Sequence, residues 1–112
     1  MRTRFSEKID KVQARVLDGP GRLLAARRRL AFEGRPLGDD LADAFVGNIH
    51  RHAYEITGDD VEALRRAGWS EDQIYELSVA AAFGAARHRL DAGLRALGAA
   101  RSACQVPADE GV

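Results

Sequence analysis

Apolar residues recur every three or four positions along this chain, and no segment alternates between apolar and polar with a period of two. One stripe contains Ile9, Val12 and Val16, and a second, at a spacing of four, contains Leu41, Phe45, Ile49 and Ala53. A helix turns once in 3.6 residues, so this spacing places each set on one helix face, whereas a half-buried strand would alternate. The pattern predicts an all-α fold.

Turn and cap residues divide this pattern into about five predicted helices. Their predicted ranges are 6–17, 22–32, 40–55, 57–68 and 70–97. Thr57 and Asp60 are spaced to cap the fourth helix, and Gly68 can take the left-handed conformation that ends it. Ser70 to Gln73 has the capping-box pattern for the fifth. We predict one domain over residues 1–100 and a flexible tail over 101–112.

The fifth predicted helix has an unusual middle segment. Residues 77–86 are apolar almost all round and rich in alanine, which predicts burial on every side. A domain of 112 residues has a limited core. We therefore expect part of this helix to lie in a subunit interface of a homo-oligomer, whether a dimer, a trimer or a hexamer.

Charge and composition exclude several partners. Seventeen basic and seventeen acidic side chains cancel, and the Arg27 to Arg29 run is best interpreted as a solvated helix face. The charged N-terminus has no apolar signal core, and no apolar run reaches the roughly 18 residues that cross a bilayer. We expect a cytoplasmic protein that binds neither nucleic acid nor membrane. The single cysteine, Cys104, allows no internal disulfide.

Polar residues suited to proton transfer lie between Asn48 and Asp60. On a helix, His50 and His52 point about 200° apart and cannot hold one metal ion from one face, so we expect no metal and no cofactor. His52 and Glu55 share a helix face, where the carboxylate could orient the imidazole as a general base. The alternative is a surface histidine near a helix end beside a solvated glutamate.

The segment RHAYEITGDDVEALRRAG, from Arg51 to Gly68, ends in a Leu-Arg-x-x-Gly signature. It is followed by Ser70-Glu71-Asp72-Gln73-Ile74 and the alanine-rich helix. This order resembles the C-terminal half of the carboxymuconolactone decarboxylase and AhpD-like alkylhydroperoxidase families. The resemblance extends over about Val16 to Leu97, and it implies an AhpD-like helical domain.

The groups that carry redox chemistry in that family are absent from this chain. Counted back from Gly68, the positions of the two cysteines, of the residue before the second and of the motif histidine hold Ala53, Ile56, Glu55 and Asp60. Peroxide reduction by a dithiol needs an attacking thiolate and a resolving thiol. The resemblance therefore implies a short, redox-inactive member, and Cys104 lies too far along the chain to substitute.

Two functions stay open at this point. The decarboxylase branch of the family is thiol-free and transfers protons on a small organic acid without a cofactor. For such an enzyme, with its ligand in an intersubunit pocket, the candidate catalytic residues are His52, Glu55 and Asp60, with His50 and Tyr75 as candidate helpers. The alternative is a non-catalytic oligomeric binding or scaffold protein. A cluster of these side chains at a cavity favours the enzyme, and scattered, solvated positions favour the scaffold.

Overall fold

The protein is all-helical in its computed structural model, which describes residues 4–110, apart from the side chains of Phe5, Tyr54 and residues 104–110. Within these residues there are five α-helices and no strand, which confirms the predicted all-α fold. The helices are α1 (Arg4–Asp18), α2 (Ala25–Glu33), α3 (Asp40–His52), α4 (Gly58–Arg66) and α5 (Glu71–Glu110), and a 3-10 turn, Ala53–Glu55, links α3 to α4. None of these helices is both long and apolar enough to cross a membrane.

The core lies where α2, α3 and α4 pack against the first half of α5. Its central side chains are Leu23, Ala31, Ala42, Phe45, Val46, Ile49, Leu64, Ile74, Leu77, Ala80 and Ala81. Helices α2 and α5 approach so closely that a Cβ on Gly84 would overlap the backbone of Phe32. Ala82 and Ala86 are exposed, so within one chain the alanine-rich segment is not buried on every side as its composition predicted.

Both helix ends that carry a left-handed glycine use the same cap. Gly34 and Gly68 have φ values of 72° and 106°. The N–H of the residue after each glycine donates to a carbonyl oxygen in the last turn of the helix. Arg35 donates to Leu30 at 2.9 Å, and Trp69 donates to Leu64 at 3.0 Å. A hydrogen bond of this kind at a left-handed glycine is typical of the Schellman motif, which satisfies carbonyl groups that have no partner within the helix. The predicted stop at Gly68 is therefore confirmed.

Several helix boundaries differ from the prediction: α3, for example, ends at His52 instead of residue 55. Helix α2 begins at Ala25 instead of residue 22, since the backbone of Leu24 has a ψ of 141°, which is not helical. The N–H groups of Arg22 and Leu23 bind the Glu76 carboxylate. Helix α5 continues past Leu97 to Glu110, and the first part of this extension contains the strong helix formers Ala99, Ala100 and Arg101. Flexibility of residues 101–112 stays a prediction, and residues 111–112 and the Cys104 side chain lie outside the described part of the protein.

Candidate functional site

Asp60 is engaged in the cap of α4. One of its carboxylate oxygens, Oδ2, accepts hydrogen bonds from the N–H of Thr57 at 2.9 Å and from the Thr57 hydroxyl at 3.2 Å. The Thr57 side chain in turn caps the backbone at the third helical position, which completes a capping box. The capping role predicted for this pair is confirmed, and the Asp60 carboxylate therefore stabilises the start of α4.

His52 and Glu55 lie in the exposed connection between α3 and α4. The helix ends at His52, whose φ and ψ are −145° and 61°, and Glu55 ends the 3-10 turn that follows. The helix face that these two residues were predicted to share is therefore not formed. Both side chains are exposed, and neither they nor Asp60 line the cavity between α1 and α5 or a smaller one beside Phe83. Catalysis by these three residues stays a prediction.

His50 is a packing residue at the junction of three helices. Its Nε2 lies 2.8 Å from the carbonyl oxygen of Ala31 on α2, so the ring donates there. Its ring centroid lies 5.8 Å from that of His88 on α5, and Arg89 donates to the His50 carbonyl oxygen at 3.0 Å. The imidazole predicted as a catalytic helper is thus directed at the backbone of α2.

A cavity that was not predicted lies between α1 and the first turns of α5. It measures about 880 Å³, and we term it the α1–α5 groove. Helix α1 supplies Val12 and Val16 to its wall, while α5 supplies Tyr75 and Val79. Tyr75 is 70% exposed, so it belongs to this groove instead of the core or the His52 region. Its residues come from distant parts of the sequence and share no motif, which is why sequence reasoning missed them.

Glu76 and Arg28 line the groove and bind backbone groups around it. Glu76 accepts from the N–H of Arg22 at 2.8 Å and 2.9 Å through its two oxygens, and so fixes the α1–α2 loop on α5. The guanidinium of Arg28 donates to the carbonyl oxygens of Leu23 (3.0 Å), Val16 (3.0 Å) and Gly19 (2.7 Å). Arg28 is only 6% exposed, so its predicted place on a solvated helix face is wrong.

Asp39 links the start of α3 to the end of α4. Its Oδ1 accepts from the N–H of Ala42 at 3.2 Å, and its Oδ2 accepts from the indole N–H of Trp69 at 3.2 Å. The Ala42 hydrogen bond is the main reason that the pKa of Asp39 lies below its ordinary value, although partial burial opposes the shift. The indole bond and the charge of Arg27 lower this pKa further.

No group of three or more His, Cys, Asp or Glu side chains is arranged to hold a metal ion within the described residues. Comparison with known proteins shows no family for this chain: no protein-family model, no curated protein and no solved structure matches it. The likeness to the carboxymuconolactone decarboxylase and AhpD-like families therefore depends on the sequence motifs alone.

Proposed function

We propose that this protein is a non-catalytic, self-associating helical binding or scaffold protein, built on a fold similar to that of the AhpD-like family without its redox cysteines. In this proposal the second half of α5 is the assembly element. The supporting observation is an exposed stripe of three leucines on that half. Leu90, Leu94 and Leu97 are 42%, 56% and 54% exposed.

The leucine stripe has the spacing of a helix–helix seam. Residues separated by four and then three positions lie on one face, as they do in coiled coils. Every residue from Ala92 to Ala103 is exposed, so no other helix of the described residues 4–110 covers this part of α5. A helix without tertiary packing is marginal in water. Pairing the stripe with that of a second copy would bury the leucines and stabilise the helix.

Proton transfer at His52, Glu55 and Asp60 is the competing hypothesis. His52 and Glu55 are exposed in the single chain, so the hypothesis requires a second subunit to enclose them. It also requires Asp60 to exchange its capping bonds to Thr57 for contact with a substrate. The scaffold proposal needs neither change, and for that reason we prefer it.

Light scattering on two matched lysine variants tests the proposal. Leu94→Lys places a charge in the stripe, whereas Ala92→Lys adds the same charge two residues away, on the opposite side of the helix. We expect the unmodified protein and Ala92→Lys to exceed the 12.2 kDa monomer mass, and Leu94→Lys to fall to it. Equal masses for all three proteins would contradict an assembly through this stripe.

A further inference from the structure

From its shape and charge we infer that the α1–α5 groove binds a small amphipathic anion, with an apolar body and a carboxylate or similar head group. The volume of about 880 Å³ lies within the roughly 300–1,000 Å³ range of small-molecule pockets. The groove also exposes apolar surface for such a body to cover, since Val12 is 51% and Tyr75 is 70% exposed. This binding requires only one chain and is independent of self-association.

The charges around the groove select for an anion. Five basic and two acidic residues line it. The side chains of Lys8, Lys11, Arg15 and Arg22 form no ion pair with any described residue. Lys8, Lys11 and Arg15 follow one another at spacings of three and four, so they share a face of α1. These cations can reach a single head group together.

Of the charged residues that line the groove, Glu76 and Arg28 are bound to backbone groups. Both oxygens of Glu76 accept backbone N–H bonds, so this carboxylate is occupied by the α1–α2 loop. The buried guanidinium of Arg28 is held by carbonyl oxygens and has no carboxylate partner among the described residues. A buried charge without a counter-charge is costly, and an anion nearby would lower that cost.

A second copy of the leucine stripe does not suit the groove. The stripe is flanked by Arg89, Arg95 and Arg101, while Asp91 is the only acidic residue between positions 87 and 103. Docking it in the groove would bring these arginines against Lys8, Lys11 and Arg15, and like charges across an interface oppose association. An anionic ligand gains attraction from the same cations.

Calorimetric titration with decanoate tests the inference. Decanoate has a ten-carbon chain and a carboxylate head, and decylammonium has the same chain with the opposite charge. We expect decanoate to bind and decylammonium to bind at least tenfold more weakly, because one good charge-assisted hydrogen bond corresponds to about a factor of ten. Acetate should also bind at least tenfold more weakly, because it lacks the apolar chain that covers the groove wall. Equal binding of decanoate and decylammonium would overturn the inference, as would no binding of decanoate.

Surface variants place the site in the same experiment. Lys11→Gln with Arg15→Gln removes two groove cations, and Arg51→Gln with Arg66→Gln removes two exposed cations elsewhere. We expect only the first pair to weaken decanoate binding by about tenfold or more. Val12→Trp keeps every charge but fills the groove, and it should abolish binding. If both double variants weaken decanoate binding equally, the groove is not a site for a free amphipathic anion. The same conclusion follows if a parallel titration shows that the protein binds phosphatidylserine vesicles but not decanoate.

Discussion

Several carboxylate side chains in this protein bind backbone N–H groups. Asp39 and Asp60 cap α3 and α4, Asp43 accepts from the N–H of Leu37 at 2.6 Å, and Glu76 fixes the loop before α2. From sequence alone, an aspartate that caps a helix near a histidine cannot be distinguished from one that forms an acid–base pair with that histidine. The cap at Thr57 and Asp60 could be predicted from spacing, whereas the loss of the helix face that His52 and Glu55 were predicted to share depended on where α3 ends.

The N-cap at Asp39 gives the first prediction. Replacing Asp39 with alanine should lower the free energy of unfolding by about 1 kcal/mol at pH 7, as loss of an N-cap typically does. The native pKa of Asp39 lies below the ordinary 3.8, so its stabilisation is fully present above pH 3.8 and is lost as the pH falls through the native pKa. The deficit of the variant should therefore shrink at pH 3.

Urea unfolding followed by far-UV circular dichroism measures both effects. Asp40→Ala is the matched control, because Asp40 is an exposed neighbour in the first turn of α3. We expect this control to change stability by less than about 0.5 kcal/mol. Equal losses for the two variants at pH 7 would show that the bonds from Asp39 to Ala42 and Trp69 contribute nothing.

The two halves of α5 differ sharply in environment at the scale of helices. Its first half carries the core residues Leu77, Ala80 and Ala81, while residues 92–103 are all exposed. Helical periodicity predicted α5 and its capping box, which is present as reciprocal bonds between Ser70 and Gln73 at 3.0 Å and 3.1 Å. Periodicity could not predict the later start of α2, because Leu23 fits the helical spacing of Ala26 and Leu30 although the backbone at Leu24 is not helical.

Glycine substitutions test the close packing of α2 on α5. Gly84→Ala would drive a methyl group into the backbone of Phe32, so we expect a loss of about 1–3 kcal/mol, the usual cost of overpacking. Gly47→Ala in α3 meets only the tip of the flexible Arg51 side chain, at 2.9 Å. Because that side chain can move aside, the higher helix propensity of alanine should raise stability by up to about 1 kcal/mol.

Thermal unfolding of the two glycine variants compares them directly. The melting temperature should fall for Gly84→Ala and should rise or stay unchanged for Gly47→Ala. An unchanged melting temperature for Gly84→Ala would contradict the close approach of α2 to α5 at Gly84.

The whole molecule is elongated because α5 extends beyond the other helices. Its radius of gyration is 18.1 Å, compared with about 13 Å for a compact domain of this length, and its principal extents are 65 × 28 × 21 Å. The sequence predicted that part of α5 lies in a subunit interface, and it predicted this interface at residues 77–86. The structure leaves more apolar surface uncovered further along, at Leu90, Leu94 and Leu97.

The α1–α5 groove belongs to this molecular scale as well. Its cations come from α1, the following loop and α2, and its apolar wall comes partly from α5. In the sequence these cations are spread through an electrically neutral chain, so neither net charge nor a local motif identifies them. Only the packing of α1 along α5 brings them together.

Hydrogen–deuterium exchange at two protein concentrations tests the central claim most directly, because it reports where self-association occurs. If a second copy covers the leucine stripe, amide protection across residues 90–100 should rise as the concentration increases from about 1 to about 100 μM, while protection of α4 stays constant. Fast exchange over residues 90–100 at both concentrations would contradict the account, since this half of α5 would then have no partner.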